Sequence, residues 1–206
     1  MKVLLINGSP KPNGNTAYAL EQMAEVFHTE GVETEIIQVG NQPICGCIAC
    51  GSCYNTGKCI FNDQVNEVAA KLAEADGMVV GSPVYYASPN GTLISFLDRL
   101  FYSSGSVDKR MKVGACVVVA RRGGCTASMD VLNKYFTISE MPLASSTYWN
   151  LTHGGKPGEA VQDAEGTRTV RNLAKNMAFL IRAVAVGKEK YDLPEPEKRV
   201  YTNFIR

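Results

Sequence analysis

Four cysteines lie close together in the stretch Cys47-Ile-Ala-Cys50-Gly-Ser-Cys53-Tyr-Asn-Thr-Gly-Lys-Cys59, with two, two and five residues between successive thiols. A C-x2-C-x2-C spacing is typical of bacterial-type ferredoxins, whose thiolates hold a [4Fe–4S] cluster. Zinc modules usually divide their four ligands into two pairs with a longer spacer. The spacing therefore favours a cluster on these four thiols, and the alternatives are a structural zinc site or free cysteines. Cys45 adds a fifth nearby thiol, which leaves the choice of ligands open.

A second group of polar residues follows the hydrophobic run 3–6 and reads Gly8-Ser9-Pro10-Lys11-Pro12-Asn13-Gly14-Asn15-Thr16. The two glycines relax the backbone, and Ser9 and Thr16 supply hydroxyls. Asn15 is predicted to cap a helix whose free N–H groups bind an anion. The run lacks the G-x-G-x-x-G of dinucleotide sites and the Gly-Lys-Ser/Thr ending of the P-loop. It therefore predicts a site for a single phosphate, and the alternative is an ordinary strand-to-helix turn.

Two further loops have the composition of a binding surface. Gly81-Ser82-Pro83-Val84-Tyr85-Tyr86 places a rigid proline beside adjacent tyrosines, which can grip a planar aromatic ligand. Arg121-Arg122-Gly123-Gly124 combines paired glycines, which permit close backbone approach, with arginines that can face a phosphate or a ring edge. Half-exposed surface tyrosines and a plain loop are the alternatives here.

The three loops follow hydrophobic runs that alternate with helical patterns, as in β-α-β units. Strands are predicted at 2–7, 33–39, 77–81, 113–120 and near 143–148, and helices at 16–29, 64–75, 91–101, near 128–135 and about 164–186. Several strands are apolar without alternation, as expected when helices cover both faces of a sheet. The prediction is a doubly wound, three-layer α/β fold with a five-stranded parallel sheet in the order 2-1-3-4-5. Its ligand site should lie beyond the carboxyl ends of the strands.

Composition limits the classes of partner. The 206 residues suit one domain, 1–206, with a cysteine-rich loop at 45–59 and an extended tail at 187–206. A net charge of +1 gives no reason to expect nucleic acid or a membrane surface as partner. No stretch approaches the ~20 apolar residues of a spanning helix. The chain begins at once with a strand-like run, so a cytoplasmic protein is expected. In that compartment seven cysteines, an odd number, indicate metal binding or catalysis rather than a disulfide framework.

Together these motifs resemble the NAD(P)H-dependent FMN reductase family of flavodoxin-like proteins, and within it the iron–sulfur flavoproteins. The likeness rests on G-S-P-K-x-x-G-N-T at 8–16, on G-S-P-V-Y-Y at 81–86 followed by Phe96-Leu97-Asp98-Arg99, on Gly123-Gly124, and on the cysteine spacing. Many similar proteins are plain flavin reductases. The resemblance implies an FMN site made by Ser9, Lys11, Gly14, Asn15 and Thr16 around the phosphate, by Pro83, Val84, Tyr85 and Tyr86 along the isoalloxazine, and by Arg121, Gly123 and Gly124.

The resemblance also implies an FMN-dependent oxidoreductase that passes electrons from NAD(P)H or an iron–sulfur donor to a small-molecule or protein acceptor. Because the flavin carries the chemistry, no side chain is required as a catalytic acid or base, and none is predicted. A homodimer or homotetramer is expected. The alternatives are a non-enzymatic, flavodoxin-like electron carrier and a thiol or metal redox sensor built on the same scaffold.

Overall fold

A computed structural model describes residues 1–198, 200–202 and 204. Five parallel strands pair in the order β2-β1-β3-β5-β6, and the two-residue β4 pairs antiparallel with the end of β3. The strands are β1 (Lys2–Asn7), β2 (Glu33–Gln38), β3 (Gly77–Tyr85), β4 (Ser88–Pro89), β5 (Val113–Ala120) and β6 (Leu151–His153). The α/β, doubly wound prediction is confirmed. The first four parallel strands pair in the predicted order, the fifth is 151–153 rather than 143–148, and β4 is an addition.

Helices cover both faces of the sheet. They are α1 (Asn15–Thr29), α2 (Ser52–Thr56), α3 (Gln64–Glu74), α4 (Gly91–Ser103), α5 (Cys125–Thr137) and α6 (Ala164–Tyr191), with a 3₁₀ turn at Glu159–Gln162. Val3 and Leu5 of β1 pack with α1 and α6 in one buried cluster. Leu4 and Ile6 of the same strand pack with α3, α4 and α5 in the other. Burial on both faces explains why β1 reads as an uninterrupted apolar run.

The prediction of the last strand was wrong. At 143–148 the chain touches β5 only through an isolated bridge between Gly114 and Leu143. The hydroxyl of Ser146 then donates a hydrogen bond to the carbonyl of Thr169 in α6, so the chain leaves the sheet edge. It returns where Val118 donates to the carbonyl of Asn150, immediately before β6. Hydrogen bonds of Ser145 and Ser146 to α6 thus take the place of further pairing with β5.

The predicted tail at 187–206 begins inside α6, which ends at Tyr191, so its first five residues are helical rather than extended. Arg199, Asn203, Ile205 and Arg206 of that tail lie outside the described residues. Within the described part of the chain, no helix combines the length and apolar character needed to cross a membrane.

Candidate functional site

The loop between β1 and α1 is held in place by side chains from three neighbouring elements. Asn90 Nδ2, at the start of α4, donates to the carbonyl of Gly8 at 2.6 Å. Gln38 Nε2, in β2, donates to the carbonyl of Ser9 at 2.6 Å, and Asn7 Oδ1 accepts from the Ser9 amide at 3.0 Å. Asn7 also donates to Gln38 Oε1 at 2.8 Å. These bonds use the carbonyl groups at the start of the loop and hold its backbone in place.

Helix α1 begins beside this loop without a side-chain cap. Its N-cap residue is Gly14, and no capping hydrogen bond from a side chain occurs there in the described residues. The prediction that Asn15 caps the helix was wrong, because its side chain bonds elsewhere. Asn15 Nδ2 donates to the carbonyl of Lys156 at 2.9 Å, and its Oδ1 accepts from the amide of Ala160 at 3.2 Å. Asn15 therefore ties the loop after β6 to α1 and leaves the first turn of the helix available to an anion.

A cavity of ≈ 230 Å³ opens at the carboxyl edge of the sheet beside this helix start. The ionisable side chains in its described wall are those of Lys11, Tyr85 and Arg121, so the wall carries positive charge. The structure brings together most of the site residues predicted from the sequence, namely Ser9, Lys11, Gly14, Asn15, Thr16, Pro83, Val84, Tyr85 and Arg121. One part of the cavity wall is polar and cationic, and another part is made by Pro83, Val84 and Tyr85. Such a wall suits an anionic ligand with a planar ring.

Five other residues of the cavity wall were not predicted. Val119 and Ala120 end β5, and Gly154, Gly155 and Pro157 follow β6. The paired glycines after β6 resemble those after β5 and occupy the same edge of the sheet. Correct placement of β6 would have identified Gly154, Gly155 and Pro157, because binding loops follow the carboxyl ends of parallel strands.

Tyr86, Gly123 and Gly124 do not line the cavity. Tyr86 has φ 50° and a fully exposed side chain. Gly124 is the N-cap residue of α5 at φ 94°, and a Cβ there would lie 2.9 Å from Ala87 Cα and 2.9 Å from Val84 Cγ1. Gly124 thus allows α5 to approach the β3–β4 turn, and it acts on the cavity through the turn rather than by contact.

Replacing Gly124 with Ala should lower the free energy of unfolding by about 1–3 kcal/mol, because the new methyl group meets backbone and the left-handed φ is strained. Gly123→Ala is the matched control, since a Cβ at position 123 meets no described atom within 4 Å. Urea denaturation of both variants measures the difference. Equal stabilities would show that the β3–β4 turn does not depend on this close approach.

A second pocket contains the four clustered cysteines. Cys47, Cys50, Cys53 and Cys59 line it together with apolar walls from Ile48, Ile60 and Phe61 and with Arg99, Tyr102 and Ser103 from α4. Among the described residues, no three His, Cys, Asp or Glu side chains are grouped as ligands of a single metal ion. Zinc needs its thiolates to converge on one atom at about 2.3 Å, whereas a [4Fe–4S] cluster distributes four thiolates over its irons. Four thiols around a mainly apolar pocket are a donor set of the kind that can hold a [4Fe–4S] cluster.

Cys45 lies outside this ring. Its thiol is exposed and does not line the pocket, although Arg99 Nη1 approaches its carbonyl at 3.4 Å and its Sγ at 4.0 Å. On the pocket wall, a hydrogen bond with the Tyr54 hydroxyl raises the pKa of Tyr102 to about 12.

Arg99 is the buried cation of the second pocket, with 1% of its side chain exposed. Its Nη1 and Nη2 donate to the two carboxylate oxygens of Asp63 at 2.7 and 2.9 Å. Its Nε and Nη2 donate to Cys59 Sγ at 3.3 and 3.2 Å. Burial lowers the pKa of Arg99, but the bonds to Asp63 and Cys59 outweigh that effect and leave the pKa raised. The guanidinium therefore stays charged and hydrogen-bonded beside a thiol.

Comparison with known proteins finds similar sequences along most of the chain. The family model described as NADPH-dependent FMN reductase matches residues 1–156. An iron-sulfur flavoprotein of Methanocaldococcus jannaschii is 34% identical over 191 residues, covering 89% of this chain and 99% of that protein. An iron-sulfur flavoprotein of Archaeoglobus fulgidus is 32% identical over 205 residues, covering 97% and 98%.

Solved structures with a similar fold are more distant in sequence. RosB with a bound flavin intermediate has a TM-score of 0.70 at 16% identity, and covers 100% of this chain and 94% of its own. A flavodoxin, WrbA-like protein from Agrobacterium tumefaciens has a TM-score of 0.62 at 15% identity, covering 88% and 97%. At these identities the likeness shows a flavodoxin-like fold.

Proposed function

The chain belongs to the NADPH-dependent FMN reductase family, and we propose that it is a flavin-dependent oxidoreductase that binds FMN in the cavity at the carboxyl edge of the sheet. The observation that carries this proposal is the pairing of an uncapped helix start with a cationic wall at the switch point of a doubly wound sheet. When bound there, FMN supplies hydride and electron transfer, which no protein side chain provides.

The FMN phosphate is proposed to bind at the start of α1. Its negative charge is stabilised by the first-turn N–H groups and by the side chains of Ser9, Lys11 and Thr16. Arg121 adds a second positive charge to the same cavity. The anchored backbone of the loop reduces the reorganisation needed on binding, because Asn90 and Gln38 already hold it.

The isoalloxazine ring is proposed to lie along Pro83, Val84 and Tyr85. The β3–β4 pairing fixes this wall, since Val84 pairs with Pro89 and Tyr85 with Ser88. Ser82 Oγ accepts from the amide of Asn90 at 3.0 Å and closes the base of the turn. A wall held in this way would orient the ring and exclude water from one side of it. No acid or base is assigned.

Thr16→Ala should weaken FMN binding by about 1.5–3 kcal/mol, or roughly 10- to 150-fold, because it removes a hydrogen bond to a charged group. Thr16 is 2% exposed and lines the cavity at the first turn of α1. Fluorescence titration of apoprotein with FMN measures the change. Thr16→Ser keeps the hydroxyl and should bind FMN nearly as the parent does. Thr29→Ala is a second control, because that hydroxyl bonds to the Glu25 carbonyl at the other end of α1. An unchanged affinity in Thr16→Ala would contradict the phosphate site.

For the second pocket, we propose a [4Fe–4S] cluster with Cys47, Cys50, Cys53 and Cys59 as ligands. The proposal is supported by the four thiols that line one pocket and by the iron-sulfur flavoprotein names of the relatives. A cluster exchanges single electrons, whereas FMN exchanges one or two. A chain that holds both can connect a two-electron donor with a one-electron acceptor.

NADPH or NADH is the proposed donor, and the proposed acceptor is a small molecule or a protein. The family description and a structural neighbour titled as an NAD(P)H:(acceptor) oxidoreductase from Paracoccus denitrificans support a nicotinamide donor. A homodimer or homotetramer is the proposed assembly. The alternative is a non-enzymatic flavodoxin-like carrier, which would bind FMN in the same cavity but would not be reduced by either nicotinamide. A thiol or metal redox sensor would respond through the cysteine pocket alone.

A further inference from the structure

Two buried polar side chains of α4, those of Arg99 and Ser103, line the second pocket beside its four cysteines. Arg99 and Ser103 are four residues apart on α4 and therefore lie on the same face of the helix. Both line the pocket of Cys47, Cys50, Cys53 and Cys59. Both are buried, with 1% and 4% of the residue exposed, respectively.

A carboxylate orients Arg99 so that it donates most closely to Cys59 Sγ, and Cys45 Sγ lies farther away, at 4.0 Å from Nη1. Asp63 accepts two hydrogen bonds from its guanidinium, which is a bidentate pairing of the kind that fixes the plane of the group. The remaining donors of the guanidinium, at Nε and Nη2, are directed at Cys59 Sγ. Phe61 packs against the guanidinium, 4.8 Å from the ring centroid. An ion pair with Asp63 would satisfy the buried charge, so the additional bonds to sulfur indicate a second role.

The segment that carries Cys59 is also held by hydrogen bonds that do not involve Arg99. Asn66 Oδ1 accepts from the amide of Cys59 at 2.9 Å, and Asn66 Nδ2 donates to the carbonyl of Cys59 at 3.0 Å. The same Nδ2 donates to the carbonyl of Phe61 at 3.0 Å. Because the backbone is held by Asn66, the bonds from Arg99 to sulfur are not needed to place Cys59.

Ser103 has a hydroxyl that lacks a hydrogen-bond partner among the described residues, although its oxygen atom is fully buried. A buried hydroxyl without a partner is unfavourable, and in a native protein such a group calls for an explanation, for example a redox role, an ion or a water molecule. The hydroxyl belongs to a residue of the pocket wall. Sulfur atoms of a group bound in that pocket would accept its hydrogen bond. Ser104 differs, because its buried hydroxyl donates to the carbonyl of Leu100 at 2.6 Å.

We propose that Arg99 and Ser103 are positioning residues that donate hydrogen bonds to sulfur atoms in the cysteine pocket and raise the reduction potential of the group bound there. The inference rests on the proposed cluster. Reduction adds one electron to the cluster and breaks no bond, so its negative charge increases. Hydrogen-bond donors and a nearby positive charge stabilise the reduced form more than the oxidised form. Asp63 holds Arg99 in this orientation and offsets part of its charge.

The test compares cluster-loaded, oxygen-free proteins that carry Ser103→Ala, Arg99→Lys or the control Ser104→Ala. Dye-mediated redox titration followed by electron paramagnetic resonance gives the midpoint potential, and iron analysis gives cluster occupancy. Ser103→Ala should lower the equilibrium constant for reduction by a few-fold. Arg99→Lys keeps the charge but loses the planar fork, so it should lower the equilibrium constant for reduction by about tenfold or more. For one electron, each tenfold decrease lowers the midpoint potential by ~59 mV. Ser104→Ala should keep the parent potential.

The possible results separate this inference from the proposal on which it rests. A parent protein without iron would refute the cluster and the inference together. Iron-loaded variants with the parent potential would refute the inference alone. If Arg99→Lys fails to fold, the potential of Ser103→Ala tests the inference by itself. That substitution removes a hydroxyl that makes no hydrogen bond to the described residues. A fall in potential in Ser104→Ala equal to that in Ser103→Ala would also overturn the inference, since it would reflect a general effect of α4.

Discussion

An alanine at position 40 should prevent FMN from being retained. A Cβ at Gly40 would lie 2.2 Å from the carbonyl oxygen of Gly8 and 2.4 Å from the carbonyl carbon of Ser9. Both are backbone atoms of the proposed phosphate loop. Asn90 and Gln38 hold those same carbonyl groups, so the loop cannot shift without breaking buried hydrogen bonds. We expect FMN affinity to fall by about 100-fold or more, equivalent to ~2.7 kcal/mol. Unfolding free energy should fall by about 1–3 kcal/mol as well.

Fluorescence titration with FMN, together with urea denaturation, measures both effects of Gly40→Ala. Gly91→Ala is the control, because a Cβ at that position meets no described atom within 4 Å and the residue is the first of α4. It should retain both affinity and stability. If Gly40→Ala were to bind FMN as tightly as the parent protein, the phosphate would have to bind away from the β1–α1 loop.

Replacing Cys50 with Ser should remove most of the iron and leave most of the FMN. A serine hydroxyl is a poor substitute for a thiolate ligand, so iron should fall from about four atoms per chain to fewer than about one. FMN should remain because its proposed cavity is lined by none of the cysteine pocket's residues. Iron, sulfide and flavin analysis of oxygen-free protein measures the outcome.

Cys45→Ser is the matched control for Cys50→Ser. Both thiols are exposed and belong to the same loop, but only that of Cys50 lines the pocket. Cys45→Ser should therefore keep about four iron atoms per chain. Loss of iron from Cys45→Ser with retention in Cys50→Ser would contradict the ligand set and would make the fifth thiol a ligand.

The strand pattern of the sequence predicted the parallel sheet because burial on both faces leaves a simple signature. Residues 3–6 and 113–120 are apolar without alternation, and they form the two strands that flank β3. The short β6 lacks such a signature. Its three residues include Thr152 and His153. The preceding run at 143–148, which has a more strand-like composition, bonds to α6 instead. The error in placing β6 also hid the Gly154-Gly155 part of the cavity wall.

Long-range polar contacts were beyond prediction from one sequence. Arg99 meets Asp63 across 36 positions and Cys59 across 40. Most of the other buried residues of α4 are apolar, so the pattern of the helix gives no sign that a charge is buried among them. Asn15 has the residue type of a helix cap, yet the loop at 156–160 bonds its side chain instead. Residue types identified the candidate site, but partners distant in the chain determine what several of those residues do.

Analysis of FMN, iron, sulfide and zinc in protein purified without oxygen tests the central claim most directly. The account predicts about one FMN, about four iron and about four sulfide per chain, with negligible zinc. Zinc at about one per chain, or FMN with cysteines that all react freely as thiols, would contradict the cluster. The absence of bound FMN, together with no binding of added FMN, would contradict the flavin site itself.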